Sequence, residues 1–407
     1  MGEPEPPRLH GRDIVCVGFA DWDTELWTNQ HHLMSRLARD NRVLFVESLG
    51  LRRPQLAGRD LARVWRRLRR GLAPPRAVDG LHVLSPLVLP LHSSRVARAL
   101  NGRLLPALVA RAARRLGLRA PILWAYVPQA EVLLEALHPS LVVYHCVDDI
   151  AAQERIDTVS FRAAESRFAA RADLVLASAP ALAERLRRIS RNVLYAPNVA
   201  DTELFARALQ PSPPARLDPG MAALPAPRIV FTGAIVAIKL DIPLLVELAR
   251  LRPSWSFALV GPVGPGEPGA DVSPLAAAPN VHLLGRRTYD ELPDVLRAAG
   301  AGLIPYARNE LTQSIFPMKV YEYLAAGLPV VATPLPALAG VADVASAPDA
   351  QGIAVLLDAA LAGDDASRRA ERSRTAAANS WERRLEEIAA AIDALGAKPR
   401  DDGRGEQ

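Results

Sequence analysis

Short apolar runs alternate along the chain with longer segments whose apolar residues recur every three or four positions. Asp13–Phe19 is the first run. A polar loop from Ala20 to Thr28 follows, then a helical pattern (Leu33, Leu37, Ala38) and a second run, Arg42–Glu47. Strand, helix and strand at this spacing predict a βαβ opening, and so a parallel sheet with right-handed crossovers. Further strands are predicted at Leu81–Ser85, Ile122–Tyr126, Leu141–Cys146, Leu174–Ala177 and Val193–Ala196, with helical segments between them. The rhythm stops at Gln210–Pro227, where prolines stand at 211, 213, 214, 219, 225 and 227, the signature of a linker. It then restarts with strand Arg228–Thr232, helix Ile242–Arg250 and strand Ser256–Val260. Later strands are expected at Val281–Leu284, Gly302–Pro305 and Pro329–Ala332, and Trp381, Leu385, Ile388 and Ala389 mark a terminal amphipathic helix.

The expected architecture is therefore α/β, with two Rossmann-like doubly wound domains. The first spans 10–208, a proline-rich linker 209–227, and the second 228–378. A helix over 379–397 would pack back toward the first domain. Folds of this kind bind ligands outside the carboxyl ends of their strands, here in a cleft on which the two domains face.

Composition narrows the class. Half of the 407 residues are hydrophobic, enough for two large cores. Cys16 and Cys146 lie in apolar runs, which excludes a disulfide framework and points to reduced thiols. No apolar stretch reaches the roughly 18–20 residues of a membrane span, and the acidic, proline-rich start is unlike a signal peptide. A cytoplasmic location is expected. The net charge of +5 hides a local excess: between Gly50 and Ala120 only Asp60 and Asp79 oppose sixteen arginines. Within 52–76, Leu61, Val64, Trp65, Leu68 and Leu72 recur at helical spacing among arginines. That segment is either a solvated basic face or a contact for an anionic membrane surface, on the inner face of the membrane. Few aromatics accompany it, so nucleic acid is not an expected partner.

The segment from Phe316 to Val331 carries the densest candidate chemistry. A loop opens a helix with Lys319 and Glu322 one turn apart, and Gly327-Leu328-Pro329 stops it before a strand. Free amides at a helix start hold phosphate, and a carboxylate in the first turn accepts from a ribose diol. Taken alone, the pattern also fits an ordinary amphipathic helix with a wet face.

This segment resembles the donor-binding signature of GT-B glycosyltransferases, in particular family 4 (group 1-like, retaining). That signature has two glutamates eight positions apart and an Ala-x-Gly-x-Pro-Val-Val turn. Glu322 matches the second glutamate, which the resemblance places on the nucleotide ribose. Ser314 stands where the first would be, with the backbone of Ile315 and Phe316 by the sugar and diphosphate. A second stretch is similar: Gly233 follows the first strand of this half and Lys239 lies six residues on, while Ala234 replaces the family's arginine. With that arginine gone, Lys319 is expected to supply the second positive charge. Asn280–Arg286 resembles the turn whose backbone, at Gly285 and Arg286, meets the base. Ala196-Pro197-Asn198 with Phe205 resembles the family's hinge, with Val199 in place of glycine. The resemblance implies a metal-independent hexosyltransferase using a UDP-, GDP- or dTDP-linked sugar. That donor is a co-substrate, and neither cofactor nor metal is expected.

The first half is expected to bind the acceptor, which could be a sugar, a lipid-linked sugar or a small molecule. Trp22, Trp27, Asn29, Gln30 and His31 crowd its first strand-to-helix loop. The tryptophans suit stacking on an acceptor or, equally, capping of the core. Adjacent His31 and His32 would point apart on a helix, so they do not predict a metal site. At another strand end, Tyr144–Asp149 offers Asp148 and His145 for acid–base work, although a carboxylate there can also cap a helix. Two rival classes share the fold: an epimerase-like sugar-nucleotide enzyme, and a non-catalytic nucleotide- or carbohydrate-binding protein. A dehydrogenase is not supported, because neither half opens with Gly-x-Gly-x-x-Gly.

Overall fold

The computed structural model of this chain describes residues 7–24, 26–48, 74–86, 95–153, 156–211, 217–264 and 271–396. The basic stretch 52–73, with Trp65, lies outside them, so the membrane contact expected of 52–76 rests on sequence alone. Internal contacts divide the chain into two units, Met1–Ala196 with Leu385–Gln407, and Pro197–Arg384. The division falls just before the predicted hinge residues Pro197-Asn198, and the proline-rich segment belongs to the second unit.

The first unit is built on an eight-stranded sheet. Its strands are β1 (Asp13–Val17), β2 (Arg42–Val46), β3 (Arg76–Val78), β4 (Leu81–Leu84), β5 (Ile122–Ala125), β6 (Leu141–Cys146), β7 (Leu174–Ala177) and β8 (Val193–Tyr195). Their order is β3-β4-β2-β1-β5-β6-β7-β8, parallel except for the β3–β4 pair. Nearly every residue from Ile14 to Val17 and from Val43 to Val46 is buried, as expected for strands covered on both faces. Helices α1 (Asn29–Leu37), α2 (Arg95–Arg115), α3 (Thr158–Arg171) and α4 (Pro180–Arg187) connect them. Asp157 caps α3 by accepting from the Ser160 amide at 3.1 Å. One core holds Val15, Leu44, Leu123, Tyr144, Phe161 and Phe168, each side chain stabilising the fold by roughly 1.5–3 kcal/mol.

The second unit carries β9 (Arg228–Thr232), β10 (Ser256–Val260), β11 (Val281–Gly285), β12 (Ala301–Ile304), β13 (Val330–Ala332) and β14 (Val344–Ser346). They form a wholly parallel sheet in the order β11-β10-β9-β12-β13-β14. Its helices include α5 (Ile242–Leu251), α6 (Glu310–Gln313), α7 (Lys319–Ala325) and α8 (Ala366–Ala376), and α9 (Trp381–Ala394) begins in this unit and continues in the first. Ile229, Phe231, Leu248, Phe257, Leu303 and Tyr323 lie in its core.

Each sheet reverses direction beside its first strand. The chain goes from β1 outward to β2 and then returns to β5; it goes from β9 to β10 and returns to β12. The crevice at the carboxyl ends of β1 and β5, and its counterpart at β9 and β12, are the switch points where such folds take ligands.

Candidate active site

At the second switch point three adjacent strands end in glycine. Gly233, Gly261 and Gly285 all have positive φ, at +124°, +153° and +71°. The Gly261 conformation is a packing necessity. A Cβ there would sit 1.9 Å from the Gly233 carbonyl oxygen, so only glycine lets the two backbones cross. The Gly233 amide donates to the Val260 carbonyl at 2.8 Å and the Gly261 amide to the Gly285 carbonyl at 2.9 Å, locking the three ends together. Gly285 has open space where a side chain would stand, and Arg286 beside it is exposed.

Above this floor lies α7. Its amphipathic face docks through Tyr323, whose hydroxyl accepts from the Thr232 amide at 2.7 Å, and whose ring covers Gly302 so closely that a Cβ there would overlap it. The docking brings Lys319 and Glu322 to the end of β9. The Lys319 Nζ donates to the Tyr306 hydroxyl at 2.9 Å and lies 5.2 Å from the centroids of both the Phe231 and Tyr306 rings. It stands 3.5 Å from where a Gly233 Cβ would be. Lys319 is half-buried, and no carboxylate forms an ion pair with it among the described residues.

Glu322 is buried, and no hydrogen bond of its carboxylate is found among the described residues. Burial pushes its carboxyl up to about 7, with the Lys319 charge pulling the other way. Its oxygens are not sealed from solvent, so a ligand's hydroxyls can reach them as donors.

Lys239 sits on the loop after β9, half-buried and without an ion pair among the described residues. That loop is tied down by its backbone: the Ala307 amide donates to the Lys239 carbonyl at 2.8 Å and the Asp241 amide to Pro305 at 2.9 Å. Asn309 adds a side-chain bond from Nδ2 to the Ile238 carbonyl at 2.8 Å while capping α6. Ser314 ends α6 and is buried, as are Ile315 and Phe316. The Phe316 carbonyl accepts from Asn198 at 2.8 Å, so the hinge-like segment holds the donor-like segment by its backbone. The first-turn amides expected to hold phosphate are partly used. Those of Val320, Tyr321 and Glu322 bond back to Pro317 and Met318, leaving those of Met318 and Lys319 without a backbone acceptor among the described residues.

The first switch point is built differently. Gln30 Oε1 accepts from the Phe19 amide at 2.9 Å. His31 Nδ1 accepts from the Thr28 amide at 3.1 Å and Nε2 donates to the Asp21 carbonyl at 3.1 Å, which fixes its tautomer. Asn29 Oδ1 accepts from the Tyr126 hydroxyl at 3.0 Å. The Trp22 amide donates to Glu47 at 2.9 Å, and its ring packs on Phe45 with centroids 4.9 Å apart. Only 2% of Trp22 is exposed. Of the five residues expected to meet an acceptor, Trp22, Asn29, Gln30 and His31 are buried and packed or hydrogen-bonded within this unit. Trp27, stacked on His31 and half-buried, keeps an outward face. Burial also holds both histidines neutral: His31 is lowered and His32 is pushed to about 3, with Arg36 and His31 adding to the effect.

At the end of β6, Asp149 is engaged by Arg162 at 2.5 Å, the structural use of one carboxylate of the pair. Asp148 is half-buried, and His145 is buried with its ring stacked on Tyr126 at 4.8 Å. Behind them lies a network that the sequence did not reveal. Glu165 on α3 accepts from the Tyr144 hydroxyl at 2.8 Å and pairs with Arg185 of α4 and with Arg162. Burial, the largest single influence, would raise the Glu165 carboxyl, but the hydrogen bond and charge of Arg185, the Tyr144 hydroxyl and the Arg162 charge together hold it low. The other residue missed is Tyr306. Its signal was its place directly after a strand, which acquires meaning only once β12 is known to lie beside β9.

Among the described residues no helix is long and apolar enough to cross a membrane. No group of three or more His, Cys, Asp or Glu is placed to hold a metal ion among them either.

Comparison with known proteins agrees with this geometry. Residues 226–362 match the profile of a family described as glycosyl transferases group 1. TuaH of Bacillus subtilis (strain 168), named as a teichuronic acid biosynthesis glycosyltransferase, is 31% identical over 230 residues. That alignment covers 53% of this chain and 55% of TuaH, so the chain spans about half the length of this curated relative. Among solved structures, HepE of Anabaena in complex with UDP and glucose superposes with a TM-score of 0.64 at 16% identity, covering 94% of this chain and 100% of that one. Sucrose-phosphate synthase of Thermosynechococcus elongatus gives 0.68 at 16% identity, over 95% and 99%. Trehalose 6-phosphate synthase of Burkholderia multivorans gives 0.63 at 13%, over 95% and 99%. Residues 226–362 are thus similar to the glycosyl transferases group 1 family, and the chain has the GT-B fold of these solved structures.

Proposed function

We propose that this chain is a glycosyltransferase that takes a sugar from a nucleoside-diphosphate donor bound at the end of β9. The observation that carries this is the pairing over a glycine floor of Glu322, a buried residue whose carboxylate has no hydrogen-bond donor among the described residues, with Lys319, a cation without an ion pair among them. The ribose hydroxyls donate to Glu322, and the diphosphate lies between Lys239 and Lys319 and the amides of Met318 and Lys319. The base rests against the backbone at Gly285 and Arg286, and the sugar against Ser314, Ile315 and Phe316. Two fixed cations stabilise the leaving diphosphate as the glycosidic bond breaks, the role that metal-dependent transferases give to an ion. On this reading the enzyme is a metal-independent hexosyltransferase that retains configuration, with the nucleotide sugar as its only small-molecule requirement. The bound UDP of HepE makes a UDP-linked sugar the first donor to try.

The N-terminal unit is assigned to the acceptor, with Trp27 as the side chain left free to stack on it. Asp148 and His145 are assigned to the reacting sugar and the acceptor hydroxyl. Likeness to TuaH favours a lipid-linked or polymeric acceptor at the inner face of the membrane, reached from the cytoplasm with help from segment 52–76. A second reading, a non-catalytic nucleotide binder, is favoured by Ala234 and Ser314, which stand where the family has charged groups.

The test is a thermal-shift screen of the purified protein against UDP, GDP, dTDP and ADP, each with and without EDTA, followed by assays of donor turnover with and without acceptors. Stabilisation by one nucleotide, indifferent to EDTA and accompanied by acceptor-dependent release of nucleoside diphosphate, is the expected result. Binding without turnover would move the chain to the second reading. A folded protein that responds to no nucleotide would remove the donor site.

A further inference from the structure

The way Lys319 is held is unusual for a half-buried cation. Its ammonium is seated by one hydroxyl and two ring faces, with no carboxylate ion pair among the described residues. A carboxylate would fix the ammonium and cancel its charge. Ring faces and a neutral hydroxyl fix it and leave the charge standing. The Tyr306 hydroxyl occupies one of the three N–H donors of the ammonium, and two remain for an anion at the end of β9.

Tyr306 also reaches the segment of the other lysine through its backbone. It forms an isolated antiparallel bridge with Leu240, flanked by the Ala307-to-Lys239 and Asp241-to-Pro305 hydrogen bonds. Its carbonyl accepts from the Thr333 hydroxyl at 2.7 Å, anchoring the strap to β13's end. Tyr306 is buried, and its Thr333 attachment is shielded from water, while its hydroxyl meets Lys319 at the edge of solvent. One residue thus touches Lys319 by its side chain and sits in the main-chain bridge that its neighbours Pro305 and Ala307 bond beside Lys239.

We propose that Tyr306 is the positioning residue of the diphosphate site: it seats the Lys319 ammonium over Gly233 and holds the Lys239 loop in register with it. Together the two lysines then replace the arginine that Ala234 lacks. The proposal rests on the donor-site reading above and deepens it. Tyr306 acts through the lysines, so its removal should affect ligands with a diphosphate and spare those that offer only base and ribose.

The experiment compares the full chain with Tyr306→Phe, Lys319→Ala and their double variant. The probes are UDP, GDP and dTDP, each paired with its nucleoside, with affinities from calorimetry and competition. Tyr306→Phe keeps the ring and removes the hydroxyl. It should weaken the diphosphate about fivefold while nucleoside affinity stays within about twofold, the net scale of one typical hydrogen bond. The double variant should bind no more weakly than Lys319→Ala alone. Phe231→Leu removes the other ring face and should act in the same direction, which covers a Tyr306→Phe protein that folds poorly. Unchanged diphosphate binding in both variants would overturn the proposal, as would parallel losses for diphosphate and nucleoside, or additive losses in the double variant. A parent protein that binds none of the probes would overturn the donor site together with it, an outcome visible before any variant is made.

Discussion

The two switch points occupy equivalent places in their sheets and are made of opposite material. At the end of β1, the polar side chains of Asn29, Gln30 and His31 each meet a neighbour within the same unit. At the end of β9, Glu322 has no donor and neither Lys239 nor Lys319 has an ion pair among the described residues. A polar cluster at a strand's end is therefore no evidence of a site by itself. What marks a site is polarity that the fold leaves unanswered, because burying such groups is unfavourable unless a ligand completes them.

Four expectations can break or sharpen this contrast. The largest concerns the completed network. Glu165→Ala strands Arg185 and leaves Arg162 with Asp149 as its remaining partner among the described residues, and it should lower stability by about 3 kcal/mol in urea unfolding. Nucleotide affinity of the folded protein should not change. Glu322→Gln should do the reverse. It is expected to weaken nucleoside-diphosphate binding by about 1.5–3 kcal/mol while leaving the ligand-free melting temperature the same or higher, since the buried charge is removed. A drop in ligand-free stability would make Glu322 a structural residue and erase the contrast.

The two pH predictions are smaller per pH unit and opposite in sign. The Glu322 carboxyl is raised in the fold, so its ionisation costs stability progressively as pH rises from about 4.5 to about 7. A ribose diol donates to the ionised form, so affinity should fall as pH drops below 7, by at most about tenfold per unit, and level off above it. Glu322→Gln should flatten that profile, which separates it from phosphate titration. His32 is depressed in the fold to about 3, so stability is full above about 6.5 and is lost as pH falls toward 3, at up to about 1.4 kcal/mol per unit. Acid denaturation followed by the tryptophans near His32 should begin in that window, and His32→Gln should shift its onset downward.

Much of the fold was legible because parallel strands buried on both faces write themselves as continuous apolar runs. Leu141–Cys146, Leu174–Ala177, Arg228–Thr232 and Ser256–Val260 have the predicted ends, and other runs differ by a residue or two. Arg76–Val78 and Val344–Ser346 were not predicted, being three-residue edge strands with too few buried positions for a pattern. The Lys319–Glu322 spacing was legible as a candidate because both residues lie on one short helix. The fate of Trp22 and Gln30 was not, since their partners Glu47 and Phe19 are matched to them only by the tertiary fold. Tyr306 was hidden for the same reason: its meaning depends on strand order, which local periodicity does not encode.

The central claim is that the open polarity at the end of β9 receives a nucleoside diphosphate. Hydrogen–deuterium exchange with and without UDP, GDP and dTDP tests it most directly. The account predicts ligand-dependent slowing confined to peptides covering 233–241, 285–286, 305–309 and 314–322, with 18–32 unchanged. Slowing over 18–32 instead, or over neither region by any nucleotide, would contradict it.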